Sequence, residues 1–183
     1  MLGLPARPRL RGGWAARLIG VLALGLWAGC ASTPAPSRPR ADAYLATLAT
    51  LPDLQGRTLS VSGWTGRVLV VQFLATWCFP CIATAPRLQD LEARYGSRGL
   101  SVLAVGMDLE GALVLGPFQE QLRLTYPVLV GNDALRAGKT AFGRITTLPT
   151  TVIVGRDGTV LAAFKGVPES GSLESFLEGA LKQ

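Results

Sequence analysis

Two cysteines, Cys78 and Cys81, stand in the run Trp77-Cys78-Phe79-Pro80-Cys81 and are the residues of this chain best suited to chemistry. A thiol pair separated by two residues can close into a disulfide and reopen, passing two electrons each time. Other chemistries are excluded by inventory. The 183 residues contain no histidine and only one further cysteine, Cys30, so a Ser-His-Asp triad, a Cys-His nucleophile pair, an HExxH metal site and a four-cysteine zinc site are all ruled out. What remains is thiol or carboxylate chemistry, with no metal and no cofactor beyond the dithiol expected.

The placement of the pair supplies a mechanism. Arg67 to Leu74 is a short, nearly continuous β-branched and aromatic run, the pattern of a strand buried on both faces. Directly after the cysteines, Ile82, Ala85, Leu88, Leu91 and Tyr95 recur at three- and four-residue steps, which predicts an amphipathic helix ending at Gly96. Cys78 then sits at the helix start, facing unpaired backbone N–H groups and the positive end of the dipole, while Cys81 lies one turn inside. One sulfur is expected to be exposed and the other shielded. Lowering a thiol pKa from about 8.5 to about 7 requires roughly 2 kcal/mol, and a helix dipole supplies about 0.3 to 1, reaching about 2 in partly buried geometry. Hydrogen bonds from amides or from the second thiol are expected to provide the rest. Half of a zinc site, an inert disulfide and two chance core cysteines compete with this reading. Composition removes the first. A disulfide closing so short a loop stabilises little, and chance does not explain a strand-CxxC-helix arrangement.

The elements beyond this motif read as α/β. Strands are expected at Leu100 to Met107, Tyr126 to Val130, Thr150 to Val154 and Val160 to Phe164, the last two joined around Asp157-Gly158, a strong hairpin signal. Helices are expected at Leu113 to Leu124, near Asp133 to Phe142, and from Ser172, where Leu173, Phe176, Leu177, Ala180 and Leu181 form one apolar stripe.

The N-terminal quarter has a different character. Arg7, Arg9, Arg11 and Arg17 precede an apolar stretch, Leu18 to Ala28, of secretory h-region length and short of the roughly 20 residues a spanning helix needs. Setting those four arginines aside leaves 14 basic against 12 acidic residues, with the remaining arginines scattered, so no nucleic-acid footprint is expected. Residues 31 to 41 hold three prolines and no bulky apolar side chain, the composition of an extended tether.

The run ending in Ala28-Gly29-Cys30 resembles a bacterial lipoprotein signal, with Trp27 as a departure where that pattern prefers Leu, Val or Ile. The resemblance implies residues 1–29 as signal peptide, acylation at Cys30, residues 30–50 as tether and lead-in, and an exported protein held on the membrane facing the periplasm or cell exterior. A simple secretory peptide with an incidental Cys30 is the other reading. From about residue 51 to 183 the chain resembles the thioredoxin superfamily, specifically the TlpA/ResA-type thiol-disulfide oxidoreductases of the bacterial envelope. The matching segments are Leu59 to Gly66, Val71 to Cys81, Pro86, Val105 to Asp108, Leu124 to Leu129, Leu148 to Thr151, and Arg156 to Gly158.

That resemblance implies an α/β thioredoxin-like fold, a central mixed sheet flanked by helices, with an N-terminal β-hairpin extension and a helical insertion at about Leu109 to Leu124. It makes Cys78 and Cys81 catalytic and matches Pro149 to a cis-proline beside the dithiol. Trp77, Phe79, Pro80, Leu148 and Pro149 would form the substrate-binding surface. The acid that relatives carry near the dithiol is replaced by Gln72 and Thr84, neither of which can take a proton. Implied partners are disulfide- or dithiol-containing envelope proteins and a membrane thiol-electron donor, met by a monomer. Two alternatives fit less well. A peroxiredoxin needs a proline seven and a threonine three residues before its cysteine, where this chain has Val71 and Ala75. A redox-inactive binding module would have no reason to keep the paired dithiol.

Overall fold

The computed structural model describes residues 41–182. The signal peptide, the Pro-rich tether and the lipidation position Cys30 lie outside the described residues. Ten elements follow in chain order: α1 (Ala41–Ala49), β1 (Val68–Leu74), α2 (Phe79–Tyr95), β2 (Leu100–Gly106), α3 (Ala112–Leu122), β3 (Val128–Val130), α4 (Asp133–Arg136), β4 (Thr150–Val154), β5 (Val160–Lys165) and α5 (Ser172–Ala180). The strands form one mixed sheet of order β3-β2-β1-β4-β5. β1 runs parallel to β2 and antiparallel to β4, which places the dithiol strand at the centre.

Every residue of β1 is buried, as its unbroken apolar run requires of a strand covered on both faces. Val68, Val70 and Leu74 pack with α2, α3 and α5 on one side, while Leu69, Val71 and Phe73 pack with α1, α4 and Trp64 on the other. Gln72 belongs by alternation to the face that carries α2.

The structure departs from the sequence expectations at three places. Residues 41 to 49, grouped with the tether and lead-in, form the helix α1, whose Leu48, together with Leu51 just beyond it, is fully buried. The N-terminal hairpin is reduced to a single bridge between Pro52 and Thr58. Pro52 has no N–H to extend a ladder, and the Asp53 carboxylate instead accepts the backbone N–H groups of Gln55 and Arg57, both at 2.9 Å, closing a tight turn. The helix expected up to Phe142 stops at Arg136. Gly138 takes φ 72°, and a Cβ there would come within 3.0 Å of the Arg144 backbone, so the chain is turned out of the helix at a point only glycine occupies. The Asp157-Gly158 turn forms as expected, with Gly158 at φ 79° and Asp157 Oδ1 accepting Thr159 N–H at 2.9 Å.

Candidate active site

β1 ends at Leu74, and after four intervening residues the chain enters α2 at Phe79. Cys78 is the N-cap of that helix: its backbone is extended, and its Sγ accepts the N–H of Cys81 at 3.3 Å. Pro80 stands in the first helical turn, where its missing N–H would have no helical partner. Sγ of Cys78 and Sγ of Cys81 are joined in a disulfide. Cys78 is 5% exposed and Cys81 wholly buried, so the expected contrast keeps its order but is compressed. Cys78 keeps only a sliver of exposed surface, while Trp77 and Phe79 on either side of it stand almost free of the fold.

The strand-end proline reaches the same place. Extending the antiparallel register Phe73↔Thr150 by one residue sets Pro149 opposite Leu74, and the Leu148-Pro149 bond is cis. Pro149 is buried, its carbonyl accepting the Gly166 N–H at 2.7 Å, and Leu148 packs half-buried against both halves of the core. The structure thus brings together Trp77, Cys78, Phe79, Pro80, Cys81, Leu148 and Pro149 at the C-terminal end of β1.

Gln72 and Thr84, separate in sequence, are a bonded pair. Gln72 Nε2 donates to Thr84 Oγ1 at 3.0 Å, and the Thr84 hydroxyl lies 3.0 Å from the Pro80 carbonyl and 3.2 Å from that of Cys81. Because that hydroxyl has one proton for the carbonyls, its lone pair takes the amide. Gln72 Oε1 is left buried with no donor among the described residues. Gln72 borders a cavity of about 60 Å³ lined also by Thr84, Leu88, Thr151, Glu174 and the loop from Val167 to Gly171.

One contact had no strong sequence signal. The buried Asp108 carboxylate, just past β2, accepts the Thr76 N–H at 3.1 Å and the Thr76 hydroxyl at 2.7 Å. These charge-assisted bonds tie the segment leading into the cysteines to the end of the neighbouring strand. An acid at a strand terminus was visible, but its partner depends on the register Leu74↔Gly106. Val71 and Ala75 are both fully buried apolar side chains and bring no hydroxyl to Cys78.

Known proteins share this arrangement. The model of the AhpC/TSA family matches residues 44–163. The chain is 30% identical over 128 residues to the thiol-disulfide oxidoreductase ResA of Geobacillus thermodenitrificans, covering 70% of this chain and 71% of that one. It is 32% identical over 126 residues to ResA of Oceanobacillus iheyensis, covering 69% and 64%. Among solved structures, a provisionally assigned thiol:disulfide interchange protein DsbE from Chlorobium tepidum superposes with a TM-score of 0.62 at 27% identity, over 72% of this chain and 91% of that one. The strand-CxxC-helix dithiol, the cis-proline at the same end of β1 and these likenesses together establish that the chain belongs to the AhpC/TSA family of thioredoxin-fold proteins and, within it, to the ResA-like thiol-disulfide oxidoreductases.

Proposed function

We propose that this thiol-disulfide oxidoreductase is an envelope reductase of protein disulfides, acting through Cys78 as attacking sulfur and Cys81 as resolving sulfur. The observation that carries the assignment is the N-cap position of Cys78, whose sulfur accepts a helix N–H and which is the one cysteine of the pair with any exposed surface. A thiolate there is stabilised by the amide and the helix dipole. In the reduced protein it attacks one sulfur of a client disulfide; that S–S bond breaks, the other client sulfur leaves as a thiolate, and a mixed disulfide forms. Cys81, deprotonated, attacks the Cys78 sulfur, and the second client thiolate departs as the Cys78–Cys81 bond closes. Two electrons have passed to the client, and a membrane thiol donor restores the dithiol. The reaction calls on no cofactor or metal, and one monomer suffices.

Trp77, Phe79, Pro80, Leu148 and Pro149 form the surface on which the client lies. Export and a lipid tether at Cys30 complete the reading, supported by the short h-region ending in Gly29-Cys30. Two or more acyl chains give a stable anchor where one does not, and the mass of the N-terminal peptide reads the modification directly.

The experiment is mechanism-based trapping. Cys81→Ser should accumulate mixed disulfides with clients on non-reducing gels, and Cys78→Ser should give few. Equal trapping by both would overturn the assignment of roles.

A further inference from the structure

Four large apolar side chains are strongly exposed at one end of this molecule: Trp77 at 75%, Phe79 at 80%, Leu109 at 80% and Leu113 at 78%. The first two flank Cys78. The other two belong to the turn after β2 and to the first turn of α3, and nothing in the dithiol motif accounts for them. Their placement follows from topology. β1 and β2 are parallel, so both strands end at the same edge of the sheet, and α2 and α3 both begin there. Leu115 and Phe118 of α3 share a core cluster with Cys78 and Cys81, which sets the two helices on the same face. Continuing the register Leu74↔Gly106 by two residues brings Thr76 to Asp108, where the carboxylate bonds close the approach, and by three brings Trp77 in line with Leu109.

We infer that Leu109 and Leu113 extend the client-binding face of the dithiol and give it a preference for disulfides flanked by apolar side chains. This rests on the proposed reductase reading. The occupant is set by the reaction itself: a client sulfur must reach the narrow exposed edge of Cys78, so the chain on either side of a client cysteine crosses this face. The chemistry of that chain follows from charge. From Ala75 to Ile82 there is no charged residue, and from Met107 to Pro117 the only ones are Asp108, committed to Thr76, and Glu110. Such a surface offers apolar area and few partners for a polar strand. Asp108 acts as the positioning residue that holds the two halves of the face together.

The test is single-turnover reduction by the pre-reduced full chain of two cystine peptides, one with Leu and Val beside each cysteine and one with Ser and Lys, against hydroxyethyl disulfide as a probe too small to span the face. The wild-type protein should reduce the apolar peptide at least about tenfold faster than the polar one, the equivalent of about 1.4 kcal/mol. Leu109→Ser with Leu113→Ser should remove that preference through the concentration dependence of the rate and leave hydroxyethyl disulfide unchanged, whereas Leu109→Met with Leu113→Met should retain it. Equal rates for the two peptides in the wild-type protein would overturn the inference. So would a dimer, or binding to phosphatidylethanolamine–phosphatidylglycerol vesicles, that the serine variant abolishes without altering peptide preference. A wild-type protein that reduces none of the three disulfides would instead overturn the reductase reading itself.

Discussion

At the scale of single residues, an amide and a hydroxyl, Gln72 and Thr84, stand next to the Cys81 backbone where the resemblance implies an acid. Gln72 is nearly fully buried on β1 and bonded to Thr84, so neither of these two positions offers a carboxylate to accept the Cys81 proton. On the proposed mechanism the Cys81 thiol releases its proton to water or to the departing client thiolate, and the pH–rate profile should follow the thiols alone. Gln72→Glu places an ionisable group in the same site, where burial raises its pKa and its charge opposes thiolate formation. Single-turnover kinetics between about pH 5 and 9 should therefore need one more apparent pKa for the variant than for the wild type. A carboxylate-like step already present in the unmutated protein would contradict this.

At the scale of elements, α1 is part of the folded domain. Its Leu48 has no exposed surface, and Tyr44 packs edge-on against Phe142, which packs in turn on Phe73 of β1. Leu48→Ala should destabilise the domain by about 2 to 5 kcal/mol in urea unfolding, the usual range for deleting a buried leucine side chain. A change below about 0.5 kcal/mol would mean that the helix docks only weakly. The join between α3 and β3 has its own signature. Tyr126 is buried there and donates to the Ala85 carbonyl of α2 at 3.1 Å. Burial, with the nearby Glu92 charge, pushes its pKa well above the usual tyrosine value. Tyr95 donates its hydroxyl to Glu178, and that bond raises the Tyr95 pKa in the same direction. Both groups are neutral in either state below about pH 10, where the stability they bring is complete; above it the unfolded chain ionises first and stability falls as pH rises. Tyr126→Phe should cost about 1 kcal/mol at neutral pH through the lost hydrogen bond and should flatten the alkaline decline. Chemical denaturation midpoints from about pH 8 to 11 check both.

At the scale of the whole molecule, the property that decides physiological direction is the reduction potential. Strong oxidants of this fold stabilise the reduced thiolate with polar or cationic residues between the cysteines, and here Phe79-Pro80 offers neither a charge nor a side-chain donor. The Cys81 N–H is the hydrogen bond described for the Cys78 sulfur. The potential should lie nearer the thioredoxin value of about −270 mV than the DsbA value of about −120 mV. Equilibration in glutathione or dithiothreitol buffers measures it, and a value above about −170 mV, some 100 mV or nearly 5 kcal/mol away, would contradict the reductase direction.

What the sequence determined by itself is what short-range physics encodes. The doubly buried strand, the N-cap cysteine, the helix ending near Tyr95 and the Asp157-Gly158 turn each follow from a period or a local backbone preference contained within a few residues. The resemblance added the expectation of a cis-proline at position 149, which the structure bears out. What only the tertiary structure decided depends on partners brought from far along the chain. Residues 41 to 49 carry a weakly amphipathic, alanine-rich pattern, and their helix is worth forming because Leu48 finds a pocket on the sheet. The α4 helix stops early because Gly138 must clear Arg144. Asp108 meets Thr76, and Leu109 comes into line with Trp77, through the register of two parallel strands whose spacing in sequence is set by a whole intervening helix. Gln72 and Thr84 were each legible as departures from relatives. That they bond to one another, leaving one amide oxygen buried and unpaired, is a consequence of which face of β1 the helix covers.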